Sequence, residues 1–89
     1  MAKHIIVKGR VQGVFFRRNT QRKASDLNIS GWVKNTDDDC VEIFAQGEEN
    51  DLKEFIEWCK HGPPEAEVED VEIKDEEHDG RLNKFSIVY

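Results

Sequence analysis

The segment of this sequence best suited to chemistry runs from Lys8 to Lys23 and reads KGRVQGVFFRRNTQRK. It carries six basic side chains, no acidic one and two glycines, Gly9 and Gly13. Where a strand joins a helix, glycine permits backbone dihedrals closed to other residues, so several N–H groups can converge on one point. The free N–H groups and positive dipole end of the following helix face the same point, and Arg17 in its first turn can clamp an oxyanion through two hydrogen bonds. We therefore predict a site for a phosphate or a carboxylate.

The charge of the chain is divided between a basic start and an acidic remainder. Residues 1–25 hold seven Lys and Arg side chains and no Asp or Glu, whereas the other 64 residues hold six basic and nineteen acidic side chains, a charge of −13. Because the formal net charge is −6, the summed field repels polyanions, and neither nucleic acid nor an anionic membrane is an expected partner. A small anion needs only a local pocket. On charge alone, a solvated helix face explains the basic run equally well.

Length and composition fit a single domain over residues 1–89. A chain of 10.3 kDa buries about 64% of its unfolded surface, which is enough for one core. It has no run of 18 apolar residues, and its start, MAKHIIVKGR, lacks the apolar segment of a secretory signal, so we expect a cytoplasmic protein. Cys40 and Cys59 belong to no Cys/His pattern, which argues against a structural zinc site and favours free thiols. We expect a monomer.

Hydrophobic patterns predict five strands and two helices. β-Branched residues predict a first strand over 5–11, and a weak apolar stripe at helical spacing predicts a helix over 17–28. The stretches GWVKN and VEIFAQG are strand-like, and the intervening TDDDC predicts a hairpin. Two further strand-like stretches, VEDVEIKDEE and RLNKFSIVY, follow around a turn at Asp79 and Gly80. The second helix lies within 47–64, where the apolar residues at positions i, i+3, i+4 and i+7 are Leu52, Phe55, Ile56 and Cys59.

This order of elements, with right-handed crossovers, places both helices on one face of a sheet. We predict the α+β class: a ferredoxin-like βαββαβ sandwich with an additional C-terminal strand and a mostly antiparallel sheet. Alternation along the third strand puts Val41, Ile43 and Ala45 under the helices. Cys40 then points away from Cys59, so no disulfide is expected between them.

Two stretches of the sequence resemble the signatures of a known family. Neither GxxxxGK[ST] nor GxGxxG occurs, so the common nucleotide motifs are not indicated. In contrast, VKGRVQGVFFR, from Val7 to Arg17, resembles the first signature of the acylphosphatases, and GWVKNTDDDCVEIFAQG, from Gly31 to Gly47, resembles the second. The final FSIVY is similar to the family's last strand. Together these matches span essentially the whole chain.

The resemblance implies a hydrolase that cleaves acyl phosphates to a carboxylate and inorganic phosphate on a ferredoxin-like fold, without a metal or a cofactor. It implies that Arg17 binds the phosphate and that Asn35 positions the attacking water. The implied partner is a small-molecule acyl phosphate, with inorganic phosphate or sulfate as a further ligand of the site. The loop whose backbone amides cradle the phosphate corresponds to Arg10, Val11, Gln12, Gly13, Val14, Phe15 and Phe16.

One position departs from the family's pattern. Four residues after the asparagine the family usually has glycine, and this chain has Asp39. Glycine there suits a positive φ in the hairpin turn, and aspartate is among the few residues that tolerate such a geometry at modest cost, so we expect the turn to survive. With Asp37 and Asp38 it adds negative charge, which weakens anion binding if it faces the site.

Two alternatives to the enzyme are a binding module that uses the sheet face for RNA and a catalytically inactive relative kept for protein contacts. The fold serves many nucleic-acid domains, but an RNA module needs aromatics on two central strands. Here the first strand has none and the third has only Phe44, beside Glu42. Retention of both Arg17 and Asn35 counts against an inactive relative, although Asp39 keeps that reading open.

The remaining aromatic and basic side chains are interpreted without a role in chemistry. Trp32 and Trp58 are expected to be core or half-buried packing residues. Solvated positions are expected for Lys8, Arg10, Arg18, Arg22 and Lys23.

Overall fold

Two helices and five strands form along the chain in the predicted order. The computed structural model describes all residues from 1 to 89. The predicted βαββαβ plan with an added strand is confirmed, and neither helix is long and apolar enough to cross a membrane. The elements are β1 (Ala2–Arg10), α1 (Phe16–Asp26), β2 (Ser30–Asn35), β3 (Val41–Gln46), α2 (Glu49–Cys59), β4 (Glu67–Glu76) and β5 (Phe85–Val88).

The five strands form one sheet in the order β4-β1-β3-β2-β5. All neighbours are antiparallel except β2 and β5, which run parallel, so the sheet is mostly antiparallel as predicted. The register places Ile43 of β3 opposite Ile5 of β1 and Val33 of β2, and all three side chains are fully buried. Opposed residues share a face of an antiparallel sheet, so these residues define its covered side.

Both helices pack their apolar stripes on that covered side. α1 buries Phe16, Thr20 and Ala24, and α2 buries three of its four predicted core residues, while Ile56 is half-buried. Buried side chains of both helices and the sheet form a single hydrophobic cluster, and full burial of a large apolar side chain contributes roughly 1.5–3 kcal/mol. The predicted trio on β3 is completely buried in it: Val41, Ile43 and Ala45.

The first strand extends beyond its predicted start and includes Gly9. β1 begins at Ala2 and continues to Arg10, with a register shift against β4 between Lys8 and Gly9. Gly9 has a φ of 126°, and a Cβ added there would lie 2.2 Å from the backbone oxygen of Glu67. This glycine therefore permits a bulge and the close approach of β4. Gly9 belongs to the sheet, as the predicted strand over 5–11 implies, and the loop before α1 begins after Arg10.

The remaining differences lie at the ends of elements, and β5 begins only at Phe85, four residues after the start of the predicted stretch. α1 begins one residue earlier than predicted and ends at Asp26, since Asn28 takes a left-handed φ of 56°. Trp32 and Trp58 are half-buried packing residues, as expected. Trp32 stacks on Phe44 at 6.3 Å between ring centroids. Cys40 and Cys59 are both buried, and both are free thiols in this structure.

Candidate active site

A short loop with left-handed residues connects β1 to α1. Gly13 has a φ of 74°, and a Cβ added there would meet no atom within 4 Å, so the backbone angle and not the available space favours glycine. Phe15 has a φ of 61° and a ψ of 24°, a conformation that costs an L-residue roughly 1–2 kcal/mol. Left-handed residues next to right-handed ones turn successive N–H groups toward one concavity, the geometry that binds anions in backbone nests.

The first turn of α1 leaves its backbone donors without protein partners. The first N–H group bonded there is that of Asn19, which donates to the oxygen of Phe15 at 3.1 Å. Phe15 occupies the N-cap position without a capping side chain, and the first turn contains no acidic residue. Free N–H groups and an uncompensated helix dipole create a positive potential at this point.

Arg17 lies in this first turn and is half-buried. Its guanidinium carbon is 4.9 Å from the centroid of the exposed Tyr89 ring, within the range of a cation–π contact. Arg17 forms no ion pair with a carboxylate, whereas Lys8 pairs with Glu72 at 2.5 Å. The arginine charge is therefore not neutralised by the protein.

Asn35 ends strand β2 and has unused hydrogen-bonding capacity. Its Oδ1 is the one buried side-chain polar atom of the chain without a hydrogen-bond partner. A buried acceptor left unpaired costs about 1–3 kcal/mol. The Asn35 carboxamide is therefore poised to bind a further group that can donate a hydrogen bond.

The hairpin after Asn35 is tied to the loop before α1 by Gln12. The Gln12 Nε2 donates to the backbone oxygens of Thr36 at 2.9 Å and Cys40 at 2.8 Å. These two bonds join segments that are far apart in sequence and fix their relative positions. The resemblance assigned only the backbone of Gln12 to the site, and this role of its side chain was missed.

The turn of the hairpin survives the substitution at position 39. Asp39 takes the expected positive φ of 68° and is exposed, and it does not line the cavity described below. A hydrogen bond from the Thr36 hydroxyl lowers the pKa of the Asp38 carboxyl. A depressed carboxyl pKa stabilises the fold above the ordinary Asp pKa, and this contribution is lost as the pH falls through the depressed value. The Asp38 carboxyl is therefore charged at neutral pH.

These segments surround a cavity of about 330 Å³ that contains no acidic side chain in its lining. Arg17 and Asn35, which come from α1 and the end of β2, both line it. The other lining residues are Val11, Gly13, Phe15, Phe16, Arg18, Ile87 and Tyr89.

A family model described as Acylphosphatase matches residues 3–87. The chain belongs to the acylphosphatase family. This confirms the resemblance seen in the two signatures. A curated acylphosphatase from Geotalea uraniireducens is 47% identical over 85 residues, which are 96% of this chain and 93% of the relative.

Solved acylphosphatase structures show the same fold. The crystal structure from Bacillus subtilis is 46% identical, covers the whole of both chains and has a TM-score of 0.93. The structure from Coxiella burnetii is 37% identical, covers 98% of this chain and 90% of its own, and has the same TM-score. The predicted ferredoxin-like class is thereby confirmed.

The predicted loop residues of this acylphosphatase-family chain fall into two groups. Those that line the cavity are Val11, Gly13, Phe15 and Phe16, together with the two predicted catalytic side chains. Three do not line it. Arg10 is exposed and pairs in the sheet with Glu67, the side chain of Gln12 reaches the hairpin, and Val14 is buried in the core.

Three lining residues were missed: Arg18, Ile87 and Tyr89. The last two share the face of Phe85, which is buried, because side chains alternate along an extended chain. That alternation was visible in the sequence, but the position of β5 beside β2 was not, so the C-terminal stretch was assigned only as a strand.

Proposed function

We propose that this chain is an acylphosphatase, which hydrolyses the carboxyl–phosphate bond of acyl phosphates to a carboxylate and inorganic phosphate. One observation carries the proposal: a guanidinium without an acidic partner, Arg17, and a carboxamide with a buried unpaired oxygen, Asn35, line one cavity at the uncapped start of α1.

The phosphate group is held by backbone amides of the loop from Arg10 to Phe16 and by the side chain of Arg17. The amides that line the cavity are preorganised by the left-handed residues Gly13 and Phe15. The guanidinium of Arg17 adds a positive charge and can donate two parallel hydrogen bonds to two oxygens of the phosphate dianion. Inorganic phosphate and sulfate carry the same oxygens and are proposed as ligands of the site.

The leaving group makes a general acid unnecessary. An acyl phosphate releases a carboxylate, whose conjugate acid has a pKa of about 4 by analogy with side-chain carboxyls. The bond between phosphorus and the acyl oxygen breaks, and the electron pair leaves with that oxygen. Phosphoryl transfer through a loose transition state needs mainly alignment and charge stabilisation, which backbone donors and one guanidinium supply.

Asn35 positions the water that attacks phosphorus. A neutral carboxamide cannot take a proton, but its Oδ1 can accept a hydrogen bond from the water and so fix the direction of the oxygen lone pair. As the new bond between oxygen and phosphorus forms, a proton of the water passes to an oxygen of the phosphate itself. The step is then balanced without a protein base.

The proposal is tested by following hydrolysis of acetyl phosphate or benzoyl phosphate beside a phosphate monoester, without added metal and again with a chelator. Only the acyl phosphates are expected to react. The alkoxide that leaves a monoester is far more basic than a carboxylate, and the proposed site offers no general acid to protonate it. Equal rates on both classes, or loss of activity with the chelator, would contradict the mechanism.

Asn35→Ala separates the roles of the two side chains. Turnover is expected to fall on the order of 10²-fold or more, as for other positioning and oxyanion donors, while phosphate inhibition persists. Asn50→Ala is the matched control, since Asn50 is exposed at the start of α2. Near-normal turnover of Asn35→Ala would remove this residue from the mechanism. A cytoplasmic location and a monomeric state stay predictions.

A further inference from the structure

A second cavity adjoins the proposed phosphate site along the outer side of α1. It has a volume of about 440 Å³ and shares Phe15 and Arg18 with the first cavity. Arg22 continues its α1 wall, and Pro63 and Pro64 form the opposite wall. A molecule bound in the first cavity can therefore extend past Phe15 into this groove.

The groove is lined by arginines that the protein leaves unpaired. Arg18 and Arg22 are four residues apart, so their side chains emerge from one helix face. Neither forms an ion pair, although the next residue, Lys23, pairs with Glu54 at 3.2 Å. The same division holds across residues 1–25: the lysines Lys3, Lys8 and Lys23 have carboxylate partners, and the arginines Arg10, Arg17, Arg18 and Arg22 have none.

The chain has nineteen acidic side chains, but none of them forms an ion pair with Arg18 or Arg22. Arginine is well suited to bind carboxylate and phosphate groups, since its planar fork matches their oxygens. A guanidinium pair beside the phosphate cavity therefore offers a place for a second oxyanion on the same substrate.

We propose that the groove at Arg18 and Arg22 binds an anionic group on the acyl part of the substrate. The preferred substrates are then acyl phosphates whose acyl chain ends in a carboxylate or another oxyanion. This inference rests on the proposed acylphosphatase activity and adds the class of acyl group to it. Arg18, at the junction of the two cavities, contacts both parts of such a substrate, and Arg22 contacts only the far end.

Glu65 lines the groove as well and opposes this binding. It is exposed and pairs with neither arginine. Its charge lowers the attraction of the groove for an anion, so removing that charge has the opposite effect to removing Arg22.

The test compares two substrates, hexanoyl phosphate and adipoyl phosphate, which share a six-carbon acyl chain and differ in the terminal carboxylate. Arg22→Gln is expected to lower kcat/KM for adipoyl phosphate about threefold, the size of a partly exposed ion pair, and to leave hexanoyl phosphate within about 1.5-fold. Glu65→Gln is expected to raise kcat/KM for adipoyl phosphate alone. Both effects shrink at high salt, because exposed charges are screened.

Lys84→Gln is the matched control, since it removes the same charge from an exposed lysine that lines neither cavity. An equal loss on both substrates with Arg22→Gln, or no change on adipoyl phosphate, would overturn the groove while leaving the acylphosphatase activity intact. If the unmodified protein hydrolyses neither substrate, the proposed function is overturned, and the groove inference with it.

Discussion

The two helices have the same length of 11 residues but treat their N-termini in opposite ways. α2 has the acidic residues Glu49 and Asp51 in its first turn, which offset the positive end of its dipole. α1 has no acid there, no capping side chain and a left-handed Phe15 at its N-cap. Neither start has a side-chain cap hydrogen bond, so the difference lies in charge. Carboxylates stand beside the free donors of α2, and arginines stand beside those of α1.

This contrast makes the start of α1 the less stabilised of the two helix starts. An acidic residue in the first turn contributes about 0.3–1 kcal/mol, and α1 has none. The left-handed residue adds roughly 1–2 kcal/mol of strain. The proposed anionic ligand would supply at the start of α1 the negative charge that carboxylates supply at α2, so we expect ligand binding and stability to be coupled at only one of the two helices.

The largest expected effect concerns Arg17. A ligand present at 100 times its Kd stabilises the folded state by about 2.7 kcal/mol, so saturating phosphate is expected to raise the Tm of the protein. Arg17→Ala is expected to abolish most of this rise and to weaken inhibition by phosphate. The measurement is a thermal unfolding series against phosphate concentration, with Lys84→Ala as control. An unchanged phosphate response in Arg17→Ala would remove the guanidinium from the site.

Gln12→Ala is expected to loosen the loop before α1 from the hairpin. Loss of two hydrogen bonds lowers the free energy of unfolding by about 1–2 kcal/mol. Because Asn35 then moves relative to the phosphate, kcat falls more than phosphate affinity. The control is Gln21→Ala, which breaks a side-chain bond to the oxygen of Phe85 at 3.2 Å. If both variants lose the same small stability and no activity, Gln12 has no positioning role.

Phe15→Gly is expected to stabilise the protein and weaken the site. Glycine relieves the left-handed strain, whereas Phe15→Ala removes the same ring and keeps that strain. In urea unfolding, the free energy of unfolding of the glycine variant should exceed that of the alanine variant by about 1 kcal/mol. A more mobile loop should also reduce phosphate affinity. A glycine variant less stable than the alanine variant would show that the conformation of Phe15 is not strained.

The smallest effect tests the other helix. Asp51→Asn is expected to lower the free energy of unfolding by about 0.3–1 kcal/mol, less at high salt, without a change in turnover. Asp26 is the last residue of α1, where a carboxylate lies at the negative end of the helix dipole. Asp26→Asn is therefore expected to raise the free energy of unfolding. A change in turnover with Asp51→Asn would mean that the two helix starts are not functionally separate.

Periodicity was sufficient to predict the elements and the buried face of the sheet, but not the place of β5 beside β2. The stripe from Leu52 to Cys59 and the alternation of Val41, Ile43 and Ala45 require a buried face, and the structure buries it. Element ends were less predictable, because the bulge at Gly9 depends on β4, which is distant in sequence.

The site was predictable only in part. Arg17 and Asn35 were predicted through the two signatures, and both line the cavity. Tyr89, Arg18 and the side chain of Gln12 were missed, since their places depend on how β5 and the hairpin meet the loop. Position 39 was interpreted correctly because the physical demand, a positive φ, is local.

The glycine in the bulge of β1 has a consequence for evolution within this fold. Gly9 lies in the first signature, yet it permits the close approach of the β1 and β4 backbones and does not line the cavity. A descendant that lost the guanidinium or the carboxamide would still need this glycine in order to fold. Such an inactive descendant would keep most residues of the first signature. Activity is therefore better judged from positions 17 and 35 than from the signature that contains the glycine.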